Sequence, residues 1–198
     1  MGQLIHLPIR PPAYPDRSAD LDTAECVLLM SIRWWEADRK ARIDPLPRLC
    51  QALGNAGASD AAFSVDQLME AIARHPRRPI VVHCPRCASV SDDEKHLLHI
   101  ASLTQLGERR LAERLLRMTL VTGRGAEFAV FSLEDLGEMF AEVGLFLHRR
   151  QGMSSRGRQL RFRRLSISGG SSDGAAFFHR YRDDRGLDGG ASRGPVLR

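Results

Sequence analysis

The segment 26–35 constrains the fold more than any other part of the sequence. It is apolar at almost every position, so a helix built from it has no polar face to turn towards water. Such a helix needs neighbours on all sides, and we expect it to be the central helix of the domain, over about 20–41. Pro45 and Pro47 follow, and we expect them to end the helix because proline lacks an amide hydrogen.

Further amphipathic segments follow, separated by proline or glycine. We predict helices over 46–56, 64–75, 92–106, 108–121 and 132–149. The second and third of these begin with capping-box patterns at Ser64 and Ser91, and Ser132 opens the last one. Only 80–82 reads as a short extended segment. The sequence therefore predicts an all-α domain over 18–150, bundle-like or orthogonal, with about six helices and at most one or two short strands. A proline-rich extended arm over 1–17 precedes it.

The charge of the chain is divided unevenly along its length. Residues 1–147 carry 17 basic and 20 acidic side chains, whereas residues 148–198 carry 12 basic and 4 acidic ones. No regular apolar period continues beyond Gly152, so we predict a disordered Arg/Gly/Ser-rich tail over 151–198. A run of arginines there can attract nucleic acid or another polyanion without sequence specificity. The arginines that we expect to do so are Arg156, Arg158, Arg161, Arg163 and Arg164.

The Cys-Pro-Arg-Cys motif at 84–87 is the strongest candidate for chemistry. Cys84 and Cys87 have the spacing of one half of a zinc site, which commonly takes four ligands in a tetrahedron. His96 and His99 lie three residues apart, so both rings can face the same side of the following helix. These four residues are the predicted metal ligands, and zinc is the possible cofactor. The alternative is a pair of reduced thiols at a turn with two surface histidines.

Two other hypotheses use the same region of the sequence. A Cys-x-x-Cys pair near a helix start is typical of thiol oxidoreductases, although a thioredoxin-like fold requires more strands than this sequence predicts. The helices 92–106 and 108–121, joined at Gly107, also have the order of a helix-turn-helix. Leu103 stands where that motif usually has a small residue, so an antiparallel helical hairpin is the favoured interpretation.

No nucleophile elbow, phosphate-binding loop or pair of catalytic carboxylates stands out from the sequence. We therefore expect a non-enzymatic binding or regulatory protein that contacts a protein partner, with the basic tail adding attraction to polyanions. A zinc-stabilised binding module and a thiol-redox enzyme are the alternatives. No apolar run approaches the roughly 18 residues of a membrane span, and the start does not resemble a signal peptide, so the expected compartment is the cytoplasm.

Overall fold

The structure is a computed structural model that describes residues 11–151. All described residues belong to one compact unit of the chain. These residues form six α-helices and no sheet, which confirms the predicted all-α fold. The helices are α1 (Thr23–Lys40), α2 (Leu46–Gly54), α3 (Ala61–Arg74), α4 (Asp92–Gln105), α5 (Arg109–Thr119) and α6 (Gly125–Glu142).

Helix α6 has the most extensive contacts with other helices. It packs against α3 along much of its length and also contacts α4 and α5, whereas α1 contacts α2, α3 and α4. Close approach of α3 and α6 requires Gly125, because a Cβ atom there would lie 2.5 Å from the Cβ of His75. The expectation that α1 is buried on every side is wrong, since Val27, Met30 and Trp34 remain half-buried on one flank.

Two helices begin with a complete capping box. The side chain of Asp22 accepts a hydrogen bond from the Glu25 N–H, and the side chain of Glu25 accepts one from the Asp22 N–H. Ser91 and Glu94 make the same reciprocal pair at the start of α4. Each box satisfies two amide groups that a helix start would otherwise leave without a partner. The predicted start at Ser91 is therefore confirmed.

The other two serines that were predicted to begin helices, Ser64 and Ser132, lie inside helices. Helix α3 starts three residues before Ser64, and α6 starts seven residues before Ser132. Both serines are buried, and the Ser132 hydroxyl donates to the carbonyl of Phe128 at 3.0 Å. Apolar residues precede both serines and extend the buried face backwards, which outweighs the local capping signal.

Helix α6 ends at Glu142, and the predicted continuation to 149 is wrong. Gly144 has a φ of 77°, a conformation that favours glycine and ends the helix. The following residues run back across the domain and are held by Gln105. Its side-chain amide donates to the carbonyls of Gly137 and Leu145, each at 3.0 Å, and accepts from the Leu147 N–H at 2.7 Å.

The described part of the proline-rich arm, 11–17, is extended and packs on the helices. Tyr14 is buried in the core. An isolated parallel bridge joins Ala13 to Gln151, and an isolated antiparallel bridge joins Arg17 to Ser89. The arm therefore touches both the returning segment after α6 and the segment that carries the Cys-Pro-Arg-Cys motif.

Candidate functional site

The Cys-Pro-Arg-Cys motif lies in the connection between α3 and α4. We call residues 83–91 the cysteine loop. The N–H of Cys87 donates to the carbonyl of Cys84 at 3.0 Å, which closes a turn with the two cysteines at its ends. Their Cα atoms are 5.3 Å apart, and the two sulfurs form a disulfide. Cys84 is exposed and Cys87 is half-buried, so the pair lies at the surface.

A buried arginine, Arg33, binds the backbone of the cysteine loop from inside the domain. Arg33 lies in the middle of α1 with none of its surface exposed. Its guanidinium donates to the carbonyls of Cys87 and Ser89, each at 2.6 Å. The same group makes two bonds to Glu94, at 2.7 and 3.0 Å. One side chain of α1 therefore fixes the loop backbone and the first turn of α4 together.

Glu94 binds the backbone of the loop as well, and we call Arg33 and Glu94 together the frame of the cysteine loop. Its carboxylate accepts from the His83 N–H at 3.0 Å and from the Ser91 N–H at 2.7 Å. Burial acts to raise the pKa of Glu94, but the hydrogen bonds from Arg33, Ser91 and His83 outweigh burial and leave the pKa below its usual value. The residue is thus a carboxylate at neutral pH, with its charge balanced by Arg33.

The segment that leads into the loop is fixed by Asp93. Its carboxylate accepts from the Val81 N–H at 2.8 Å and forms an ion pair with Arg78. Burial raises the pKa of Asp93, and these partners reverse that effect and lower it. The arm and the residue that follows it hold the end of the loop that leads into α4. The Ser18 N–H donates to the carbonyl of Ala88, and the Val90 N–H donates to the carbonyl of Asp16, both at 2.8 Å.

The Cys84–Cys87 pair therefore lies at the surface, above buried ionic and backbone contacts that hold the loop. The other two cysteines, Cys26 and Cys50, are free and half-buried. The Cys26 thiol points at the carbonyl of Ser18, 3.4 Å away. Burial, followed by the nearby carboxylates of Asp22 and Glu25, raises the pKa of Cys26. That thiol has little thiolate at neutral pH, which suits a structural role.

The two predicted histidine ligands lie on α4. His99 is buried and packs edge-on against the ring of Tyr14, with centroids 6.1 Å apart. The Nδ1 atoms of His96 and His99 are buried without a hydrogen-bond partner among the described residues. Burial lowers the pKa of both rings, with the Arg149 charge contributing further at His99. Both histidines are therefore neutral at pH 7.

Within 11–151, the structure brings no three His, Cys, Asp or Glu residues together as a group that could hold a metal ion. In the disulfide form, Cys84 and Cys87 also have no thiolate to offer a metal. The proposed set of Cys84, Cys87, His96 and His99 stays a prediction for the reduced protein. The five tail arginines, beginning with Arg156, lie outside the described residues.

A cleft lies beside α1, apart from the cysteine loop. It is a mainly apolar cleft of about 210 Å³, lined by Cys26, Val27, Met30, Ser31, Trp34 and Ala52. Trp35 follows Trp34 in the sequence but points into the core, where its indole N–H donates to the Asp66 carboxylate at 2.7 Å. The adjacent tryptophans thus have different environments, one in the core and one at the cleft.

No family model matches the chain, and no curated protein or solved structure has significant similarity to it. None of the helices in the described part of the chain combines the length and apolar character needed to cross a membrane.

The sequence motif located the cysteine loop, but it gave no indication of the frame beneath it. Arg33 is a single basic residue in the apolar run of α1, and Glu94 reads as an ordinary capping residue. One signal was present: a lone arginine inside a run expected to be buried requires a buried partner. Glu94, the capping glutamate that follows the motif, is that partner.

Proposed function

We propose that this chain is a redox-responsive regulatory protein whose Cys84–Cys87 pair interconverts between dithiol and disulfide, and that a protein partner distinguishes the two forms. One observation carries the proposal. The pair lies at the surface, with Cys84 exposed, on a loop whose backbone is held on both sides of the cysteines by groups that do not depend on the oxidation state of sulfur. Oxidation can therefore change the loop surface without unfolding the domain.

The chemistry needs only an external disulfide such as oxidised glutathione. The exposed Cys84 thiolate attacks one sulfur of that disulfide, forms a mixed disulfide and releases one glutathione thiolate. The Cys87 thiolate then attacks the Cys84 sulfur and releases the second. The cysteine pair loses two electrons and two protons overall, and oxidised glutathione becomes two molecules of glutathione.

The frame favours rapid formation of the disulfide between Cys84 and Cys87. Arg33 and Glu94 fix the backbone on both sides of the cysteines, so reduction leaves Cys84 and Cys87 as neighbours. A pair that is held in place reacts as an intramolecular couple, with a high effective concentration of the second thiol. In the cytoplasm, where we expect the chain, glutathione and thioredoxin keep such a pair reduced until oxidant rises.

Thiol trapping in glutathione redox buffers tests the proposal. The full chain is equilibrated over a series of reduced-to-oxidised glutathione ratios, alkylated with maleimide and analysed by intact mass. We expect two thiols per chain to disappear together in one two-electron transition. Cys26→Ser is the matched control and should keep that transition, whereas Cys84→Ser should lose it.

Two results would count against this function. A pair that stays fully reduced across the whole series does not cycle, and oxidation that yields only disulfide-linked dimers does not form the intramolecular bond. Circular dichroism of the reduced and oxidised forms must also agree, because the frame is expected to keep the helices unchanged.

The zinc hypothesis makes a different prediction for the same two thiols. Elemental analysis of protein purified without reductant or chelator should then find one zinc per chain, and Cys84→Ser should release it with a fall in melting temperature. A metal-free chain with unchanged stability removes this alternative.

The tail hypothesis is tested separately, since deleting 151–198 should abolish any salt-sensitive binding to nucleic acid.

A further inference from the structure

The solvent-exposed side of α6 has an unusual composition. At 100° per residue, seven positions of this helix and its N-cap residue, Arg124, fall within one 120° arc. They are Arg124, Glu127, Phe128, Phe131, Glu134, Asp135, Glu138 and Glu142, and we call this surface the α6 outer face. Phe131 lies at the middle of the arc. An aromatic ring therefore occupies the centre of this exposed face.

Two phenylalanine rings stay exposed on this face. Phe128 is 62% exposed and Phe131 is 56% exposed. They are three residues apart, so the rings are neighbours on the helix surface. The guanidinium of Arg109 lies over the Phe131 ring at 4.4 Å and covers part of it. Isolated exposed apolar residues are ordinary, but a pair of adjacent aromatic rings at the centre of a helix face is typical of contact surfaces.

The charges on the face separate into a paired and an unpaired group. Glu127 forms an ion pair with Arg117, and Glu134 forms one with Arg109, both from α5. The remaining carboxylates, Asp135, Glu138 and Glu142, form no ion pair with any residue in 11–151. They follow one another at three- and four-residue intervals, so they line up along the C-terminal half of the helix.

We propose that the α6 outer face binds a basic amphipathic helix of a partner protein. Apolar side chains of the partner pack on Phe128 and Phe131, and its Lys or Arg residues pair with Asp135, Glu138 and Glu142. The three carboxylates span seven residues, or about 10 Å along the axis. A complementary partner carries basic residues at matching three- and four-residue intervals beyond an apolar turn.

Charge complementarity selects this kind of partner over the others. Three unpaired carboxylates beside the rings repel nucleic acid and anionic lipid, both of which present phosphates. They attract a cationic peptide and fix its direction relative to the two rings. This surface is defined by α6 alone and does not depend on the redox proposal for Cys84 and Cys87.

Fluorescence anisotropy with a model peptide tests the inference. The probe is a labelled synthetic helix with leucines on one face and lysines at the intervals given above, titrated with the full chain at physiological salt. We expect saturable binding by the wild-type chain. Phe128→Ser with Phe131→Ser should weaken it at least tenfold, and Asp135→Lys with Glu138→Lys should do the same.

Matched controls separate this surface from general attraction. Asp20→Lys with Asp60→Lys makes the same change of charge at exposed sites outside α6, and Ile43→Ser removes a side chain that is 54% exposed elsewhere. Both controls should bind within twofold of wild type. Equal losses in the controls, or binding that survives loss of both rings, would overturn the proposal. So would self-association that depends on the two rings in a chain that ignores the peptide, because the occupant is then a second copy.

Discussion

Arg33 and Glu94 lie 61 positions apart in the sequence and meet inside the domain with no part of either side chain exposed. Between them they bind four backbone groups of residues 83–91: two carbonyls through the guanidinium, and two N–H groups through the carboxylate. The cysteine pair is therefore positioned by residues that take no part in its chemistry.

Replacing Arg33 by methionine should destabilise the domain by about 3–5 kcal/mol, because it leaves the Glu94 carboxylate buried without a counter-charge. The carbonyls of Cys87 and Ser89 also lose their donor. Urea unfolding measures the change in the free energy of unfolding. Arg117→Met is the control, since that arginine forms partly exposed ion pairs and its loss should cost less than about 1 kcal/mol.

The four cysteines of the reduced, folded chain should react with iodoacetamide at different rates. Cys84 should be modified first because it is exposed, and Cys26 should be slow because burial raises its pKa. Peptide mass spectrometry at timed intervals gives each rate. In urea the differences should vanish, and a Cys26 that reacts as fast as Cys84 in the folded chain would contradict the assignment of roles.

Stability should fall as the pH drops through about 6.5, which is the pKa of an unfolded histidine. Burial lowers the pKa of His96 and His99 in the fold, so over this range the unfolded chain binds more protons than the native one. Urea midpoints across this range measure the slope. His99→Asn should flatten it, whatever its effect on stability at pH 7, and an unchanged slope would show that His99 does not contribute.

Gly125→Ala should destabilise the contact between α3 and α6 by about 1–3 kcal/mol. The new Cβ would lie 2.5 Å from the Cβ and 3.0 Å from the Cγ of His75. Gly54→Ala is the matched control at the end of α2, where the nearest atom is 3.9 Å away. Thermal unfolding should show a loss only for Gly125→Ala, with Gly54→Ala neutral or stabilising by up to about 1 kcal/mol.

The fold class could be predicted because helix periodicity and helix-breaking residues are local signals. Helix starts were harder, as the three serines illustrate. Ser91 begins a helix because the preceding loop residues are bound elsewhere, with its hydroxyl donating to the Val81 carbonyl at 2.5 Å. The local pattern also predicts helix starts at Ser64 and Ser132, but both serines lie inside helices with longer buried faces. Tertiary burial decides between these outcomes, and a capping pattern does not report it.

The candidate site was predicted only in part. The spacing of Cys84 and Cys87 located the loop, because ligand and redox motifs are contiguous in sequence. The orientation of His96 and His99 could not be read from their spacing alone. Helical periodicity places both rings on one side of α4, but Tyr14 from the distant arm packs against His99. Contacts between segments that are far apart in sequence determined this part of the site.

The distance in sequence between Arg33 and Glu94 has a consequence for synthesis. Arg33 leaves the ribosome 61 residues before Glu94 does. The guanidinium lacks its counter-ion throughout that interval, and it lacks the carbonyls of Cys87 and Ser89 for most of it. Cys84 and Cys87 also emerge before Glu94, so the nascent cysteine pair is not yet framed. A correctly framed pair therefore marks a chain in which α1 and α4 have already come together.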